Sequence, residues 1–179
     1  MSIGLEVGKV TLSSYDNEWV KNFEEEKKNL EIILKDLIVT IEHVGSTSIG
    51  EIKAKPVVDI AVGVKSKEDF KLCAKRFEGL EDYSVKEDSV EDELLVRKGP
   101  ESKRTNFIHI MAIDSEKYKD TIIFRDYMRK NKEARKDYEK LKIELANKYS
   151  SDRKMYTKSK DEYIKAILKE AKEQSTYNI

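Results

Sequence analysis

Apolar residues along the first third of the chain recur at two different periods, and the change of period marks the elements. Trp19, Phe23, Leu30, Ile33 and Leu37 fall three, four or seven residues apart with charges between them. That is the spacing of one helix face. Asp16 or Asn17 is placed to cap it. Ile38 to Val44 then reads as a strand, Gly45 to Ser48 (G-S-T-S) as a turn, and Ile49 to Lys53 as a short helical piece. Pro56 to Val64 is an apolar run broken only by Asp59 and Gly63. It is expected to be an interior strand, with Pro56 at its first position, where a missing N–H matters least. Ser66 can cap a helix running to about Phe77, with Gly79 ending it.

Two further strand-like runs follow, Glu93 to Arg97 and Phe107 to Ile113, separated by a K-G-P turn at Lys98–Pro100. The second alternates poorly, as a strand covered on both faces does. From Lys117 onward there is no Gly and no Pro. Three helices fit there, over about 118–130, 132–149 and 152–173. Tyr138, Leu141, Leu145 and Tyr149 form one apolar stripe, and Tyr156, Tyr163 and Ile167 another. Alternating elements followed by a run of helices predict an α+β fold: a mixed β-sheet flanked by helices, with a C-terminal helical extension. A chain of 179 residues suits a single domain, with a core over about 10–115 and the helical part over 116–179.

Composition narrows the class. Charged and hydrophobic residues each make up 39% of the chain, the balance of a globular protein with a heavily charged surface. No apolar run is long enough for a membrane span, so no membrane partner is expected. The start of the chain lacks a basic region followed by an apolar stretch, and the lone Cys73 allows no internal disulfide. Both point to the cytoplasm. Net charge is zero, yet residues 116–179 carry 18 Lys and Arg against 12 Asp and Glu, a surplus of six that the rest of the chain offsets. A basic half can serve anionic ligands, or its charges can be solvated helix faces. A nucleic-acid partner is disfavoured by the zero net charge and the acidic first half. Nothing in the sequence fixes an oligomeric state.

The chemistry concentrates between Gly45 and Asp59. Gly45 permits unusual dihedrals and close backbone approach. Ser46, Thr47 and Ser48 add hydroxyls, so the turn can cradle a phosphate, or it can be an ordinary capped turn. A carboxylate in an apolar strand, such as Asp59, is costly unless it is paired, hydrogen-bonded or bound to a metal. Facing a phosphate-binding turn it could hold Mg2+ over a nucleotide. His43 and His109, the two histidines of the chain, sit on the strands expected to flank Asp59. Each is a candidate metal ligand or proton carrier, and equally a hydrogen-bonded core residue. Lys55 precedes the Asp59 strand. Arg125 and Arg129 share a helix face, and either can hold an anion or pair with a carboxylate. Arg153, Tyr156 and Lys160 fall on nearly one face of the last helix, an arrangement able to clamp a polyphosphate and stack a base or sugar.

The stretch E-H-V-G-S-T-S-I-G-E-I-K-A-K-P-V-V-D-I, from Glu42 to Ile60, resembles the signature of the GrpB family, whose fold belongs to the nucleotidyltransferase superfamily. F-I-H-I at Phe107, F-R-D-Y-M-R at Phe124 and D-R-K-M-Y-T-K-S-K-D-E-Y-I at Asp152 are similar to later family motifs. The resemblance implies a nucleotidyltransferase-like protein that binds a nucleotide or other phosphorylated small molecule with Mg2+. Asp59 and His109 would be its catalytic pair, with Asp59 and His43 on the metal. Gly45, Ser46, Thr47, Ser48, Lys55, Arg125, Arg129, Tyr156 and Lys160 would hold phosphate or nucleotide. Nucleotidyl or phosphoryl transfer is one expectation. The alternative is a non-catalytic nucleotide- or anion-binding module, because Ala61 stands where active members of the superfamily carry a second carboxylate. Gly50 and Glu51 also depart from the Pro and Gly usual in the family.

Overall fold

The computed structural model describes residues 3–6, 8–86 and 92–176. In chain order its elements are β1 (Leu5–Glu6), α1 (Glu18–Leu34), β2 (Thr40–Val44), β3 (Val58–Val64), α2 (Phe70–Arg76), β4 (Tyr83–Val85), β5 (Leu94–Lys98), β6 (Lys103–Arg104), β7 (Asn106–Ala112), α3 (Glu116–Lys130), α4 (Lys132–Lys148), α5 (Arg153–Lys158) and α6 (Asp161–Thr176). Five strands form a mixed sheet in the order β2-β3-β7-β5-β4, and β1 pairs with β6 in a small separate ribbon. Only β3 and β7 run parallel; the other neighbours in the sheet are antiparallel. The expected mixed sheet flanked by helices is therefore the observed architecture.

The register sorts the two faces, because side chains alternate along each strand. One face carries Ile41, Ile60, Val62, Ile108, Ile110, Leu94 and Val96, packed under α1 and α2 through Trp19, Leu30, Leu34 and Cys73. Trp19, Leu30 and Leu34 are almost fully buried, and each such side chain contributes about 1.5–3 kcal/mol. The same face takes His43, opposite Ile60.

The other face is built in rows across the strands. One row reads Val44, Asp59, Phe107, Arg97. The next reads Glu42, Ala61, His109, Leu95. Val44, Ala61 and Met111 are covered by Tyr118 of α3. Further along, α5 lies over the polar row. A third cluster, Ile49, Ile52, Met128, Tyr138 and Ile167, joins α3, α4 and α6 to the loop after β2.

Several elements differ from expectation. Ser46–Ser48 forms one 3-10 turn, and the helical piece expected at Ile49–Lys53 is a turn and loop. The last helix is interrupted: α5 ends at Lys158 and α6 begins at Asp161, with the Lys160 N–H donated to the Thr157 carbonyl. Asp161 and Glu162 then supply the acidic first turn that favours a new start. β3 begins at Val58 rather than Pro56, and the short strands β1, β4 and β6 were not expected. No helix among the described residues is long and apolar enough to cross a membrane.

Candidate functional site

A cavity of about 1220 Å3 opens over the polar row of the sheet, with Asp59, Phe107 and Arg97 on its floor and α5 on its far wall. Asp59 is held open to it by the preceding turn. Gly45 has φ +67°, and a Cβ there would stand 2.4 Å from Asp59 Oδ2. Only glycine lets the backbone pass so close. The side chain of Asp59 is 34% exposed.

His109 ties Asp59 into a chain of charges. Its Nε2 lies 3.4 Å from Asp59 Oδ1 and its Nδ1 lies 2.5 Å from Glu93 Oε1. Glu93 also pairs with Lys117. Burial works against a charged ring, but the bonds to Asp59 and Glu93 outweigh it and lift His109 to about 9. Burial likewise opposes charge on Glu93, and the bonds from His109 and Lys117 overcome it, taking Glu93 to about 2. Asp59 behaves the same way: burial raises its pKa, while His109, Lys55 and Lys160 pull it below the ordinary carboxylate value. At neutral pH the array is Asp59 anion, His109 cation, Glu93 anion.

Cations gather above it. The ammonium groups of Lys55 and Lys160 sit 5.3 and 4.7 Å from the ring centre of Tyr156, which is itself buried. Arg153 lies 4.9 Å from the ring centre of Phe107. Burial, then the charges of Arg153 and Lys160, push Lys55 down to about 7 despite the pull of Asp59. Among the described residues the cavity is lined by nine Lys and Arg and five Asp and Glu, with His109 as a further cation. Just behind it Lys142 is buried with no carboxylate at ion-pair distance among the described residues, its ammonium donated to the Lys53 carbonyl and lying 4.8 Å from the Tyr138 ring. Burial, with Lys160 adding to it, takes Lys142 to about 7.

The residues singled out from the sequence divide into two groups. Gly45, Ser46, Thr47, Lys55, Asp59, His109, Tyr156 and Lys160 all line this cavity. His43, Ser48, Arg125 and Arg129 do not line it. His43 projects from the opposite face of the sheet to Asp59, stacks on Phe23 at 4.9 Å and bonds Thr47 Oγ1 at 3.0 Å. Burial lowers it to about 4, so it is neutral. Ser48 Oγ donates to the Gly45 carbonyl at 2.7 Å. Arg125 is buried and bonds Glu42, Asp126 and the His43 carbonyl, tying α3 to β2. Arg129 Nε donates to the Ser48 carbonyl at 3.0 Å and braces the turn from behind. These four shape the turn that presents Gly45–Thr47. Glu93 and Arg97 were missed by sequence reasoning, although both lie on the E-L-L-V-R run. Period-two alternation places Glu93 and Arg97 on the face of Leu95, which neighbours His109.

As a metal site the donor set is thin. Ala61 presents no ligand beside Asp59, Glu42 is held by Arg125, and Glu93 is held by His109 and Lys117. Among the described residues no group of three His, Cys, Asp or Glu is placed to hold a metal ion. Asp59 alone, flanked by an imidazolium and two lysines, does not fit a resident Mg2+.

A mixed-sheet α+β domain with a cation-rich cavity over one sheet face is thus the class that fold and site define. The family described as GrpB protein matches residues 9–170, and the chain belongs to the GrpB family. It is 32% identical over 172 residues to the glutamate-rich protein GrpB of Alkalihalophilus pseudofirmus, covering 94% of this chain and 99% of that one. It is 32% identical over 165 residues to UPF0157 protein YqkA of Bacillus subtilis, covering 92% of this chain but 48% of that longer protein. The crystal structure of the conserved protein GrpB from Enterococcus faecalis superposes with a TM-score of 0.82 at 35% identity, over 92% of this chain and 99% of that one.

Proposed function

We propose that the chain is a binding module for a phosphorylated small molecule, held in the cavity by Lys55, Lys160 and the Gly45–Thr47 turn without a resident metal. The observation that carries this reading is the convergence of the Lys55 and Lys160 ammonium groups on the Tyr156 ring, in the cavity that Asp59 and the Gly45–Thr47 turn also line. Cations crowded in a part-buried space repel one another, and a multiply charged anion relieves that repulsion with charge-assisted hydrogen bonds. Lys55, near neutrality in the empty cavity, takes up its proton when the anion enters.

The array on the floor favours recognition over acid–base chemistry. A general acid or base works best with its pKa near the working pH. Asp59 and Glu93 lie below that range and His109 above it. Their charges are locked, and they orient hydroxyl groups of a ligand instead of moving its protons. Nucleotidyl or phosphoryl transfer with Mg2+, the activity that family resemblance suggested, would need ligands beyond Asp59.

A thermal-shift panel of phosphate, sugar phosphates and nucleotides, each with Mg2+ and with a chelator, tests the proposal. A ligand at about a hundredfold above its Kd adds about 2.7 kcal/mol, a rise of several degrees in Tm for a chain of this size. The expected result is a rise with phosphorylated compounds that persists in chelator and shrinks in Lys160→Gln. A rise that appears only with Mg2+ and vanishes in Asp59→Asn would overturn the metal-free reading.

A further inference from the structure

The cavity has a second cationic pole that the phosphate-binding turn does not reach. Arg97 on β5 stands directly opposite Phe107 on β7, and Arg153 of α5 lies on the Phe107 ring from the other side of the cavity. Neither guanidinium has a carboxylate within ion-pair distance among the described residues. Burial holds Arg153 below its ordinary pKa, Asp59 opposes that, and the charge of Arg97 adds to it. Two arginines flanking one aromatic ring, unpaired and part-buried, offer planar donor forks to a phosphate or carboxylate.

The register sets the span of the cavity floor. Asp59, Phe107 and Arg97 lie in one row on three successive strands, and Gly45 closes over the Asp59 end. Neighbouring strands are about 4.8 Å apart, so the Asp59 end and Arg97 are separated by roughly 10 Å at the backbone. Phe107 lies between them in that row, with Arg153 over its ring and Tyr156 on the cavity wall.

We propose that the ligand of this cavity is bis-anionic: one phosphate at Lys55, Lys160 and the Gly45–Thr47 turn, a second anionic group at Arg97 and Arg153, and a spacer of several atoms between them. This rests on the phosphate-binding reading above and names its ligand class. Joining two anchored groups makes the second contact intramolecular, so a ligand of matching length gains affinity over either half, and a shorter one does not.

The test is calorimetric titration of the full chain with inorganic phosphate, pyrophosphate and straight-chain diol bisphosphates of increasing length. A bisphosphate long enough to span the poles is expected to bind at least about tenfold more tightly than phosphate, and pyrophosphate to gain less. In the double variant Arg97→Gln, Arg153→Gln the advantage of the long bisphosphate collapses while phosphate still binds. That ratio is read within each protein, so a loss of folded fraction does not imitate it. If phosphate binds but no length of bisphosphate binds better, or if the advantage survives in the double variant, the second pole is refuted and the phosphate site stands. If no phosphate compound binds at all, both readings fall together.

Discussion

Two histidines with the same intrinsic chemistry are driven in opposite directions by the face of the sheet each occupies. His43 lies among apolar side chains, where burial disfavours its charge and lowers it to about 4. His109 is only half-buried, and Asp59 and Glu93 overcome the cost of its partial desolvation and lift it to about 9. Because these are the chain's two histidines, an NMR titration of their ring nitrogens resolves both. One midpoint is expected near 9 and the other near 4; two midpoints between 6 and 7 would contradict the assignment. The linkage follows from the signs. The raised pKa of His109 gives stability that is complete below the unfolded value near 6.5 and is lost as pH climbs through about 9. The depressed pKa of His43 gives stability that is lost as pH falls from about 6.5 through about 4. Lys55 and Lys142, both lowered to about 7, act in the opposite sense to His109 above that pH. Denaturation of wild type against His109→Gln at several pH values isolates the His109 contribution, which should shrink as the pH rises. Both histidines were legible in the sequence as candidates. Their opposite roles were not, because His109 is charged by two partners, Asp59 and Glu93, brought to it only by the pairing of β7 with β3 and β5.

At the level of elements, the turn between β2 and β3 carries the most constrained geometry. Gly45 and Gly50 both have positive φ, at +67° and +80°. An added Cβ at Gly50 meets nothing within 4 Å, whereas at Gly45 it meets Asp59 Oδ2 at 2.4 Å and Asp59 Cβ at 2.9 Å. Gly50→Ala is therefore expected to cost about 1 kcal/mol, the conformational share alone. Gly45→Ala should cost at least about twice that, since strain and a clash add. Asp59→Ala in the same chain should recover part of the excess, as coupling between touching residues does. Equal costs for the two glycines in urea denaturation would show that Asp59 does not press on the turn. The sequence signalled this turn clearly, because Gly before a run of hydroxyl residues between apolar segments has few other readings. The break between α5 and α6 was hidden for the converse reason. No Gly or Pro marks it, and the stripe of Tyr156, Tyr163 and Ile167 reads through it. The acidic pair Asp161–Glu162 was the signal available, a helix start inside a helical pattern.

Across the whole molecule, one sheet serves two purposes with its two faces. The face under α1 and α2 is apolar and supplies the core. The other face is dry where α3 covers it and charged where α5 stands away from it. Sequence pattern revealed the principal strands β2, β3, β5 and β7, because each carries a short apolar run bounded by turn residues or charges. It could not reveal β1, β4 and β6, which are two or three residues long and owe their pairing to neighbours distant in sequence. Nor could it show that the basic C-terminal half turns only part of its charge inward. That depends on where α5 lies over the sheet, which is a property of packing. The central claim is that this inward charge receives an anion. Its most direct test is a crystal soaked in tungstate, a heavy mimic of phosphate, with the ion located from its anomalous signal. The account predicts tungstate in the cavity between Lys55, Lys160 and the Gly45–Thr47 turn. Tungstate bound elsewhere on the chain, with none in the cavity, would contradict it.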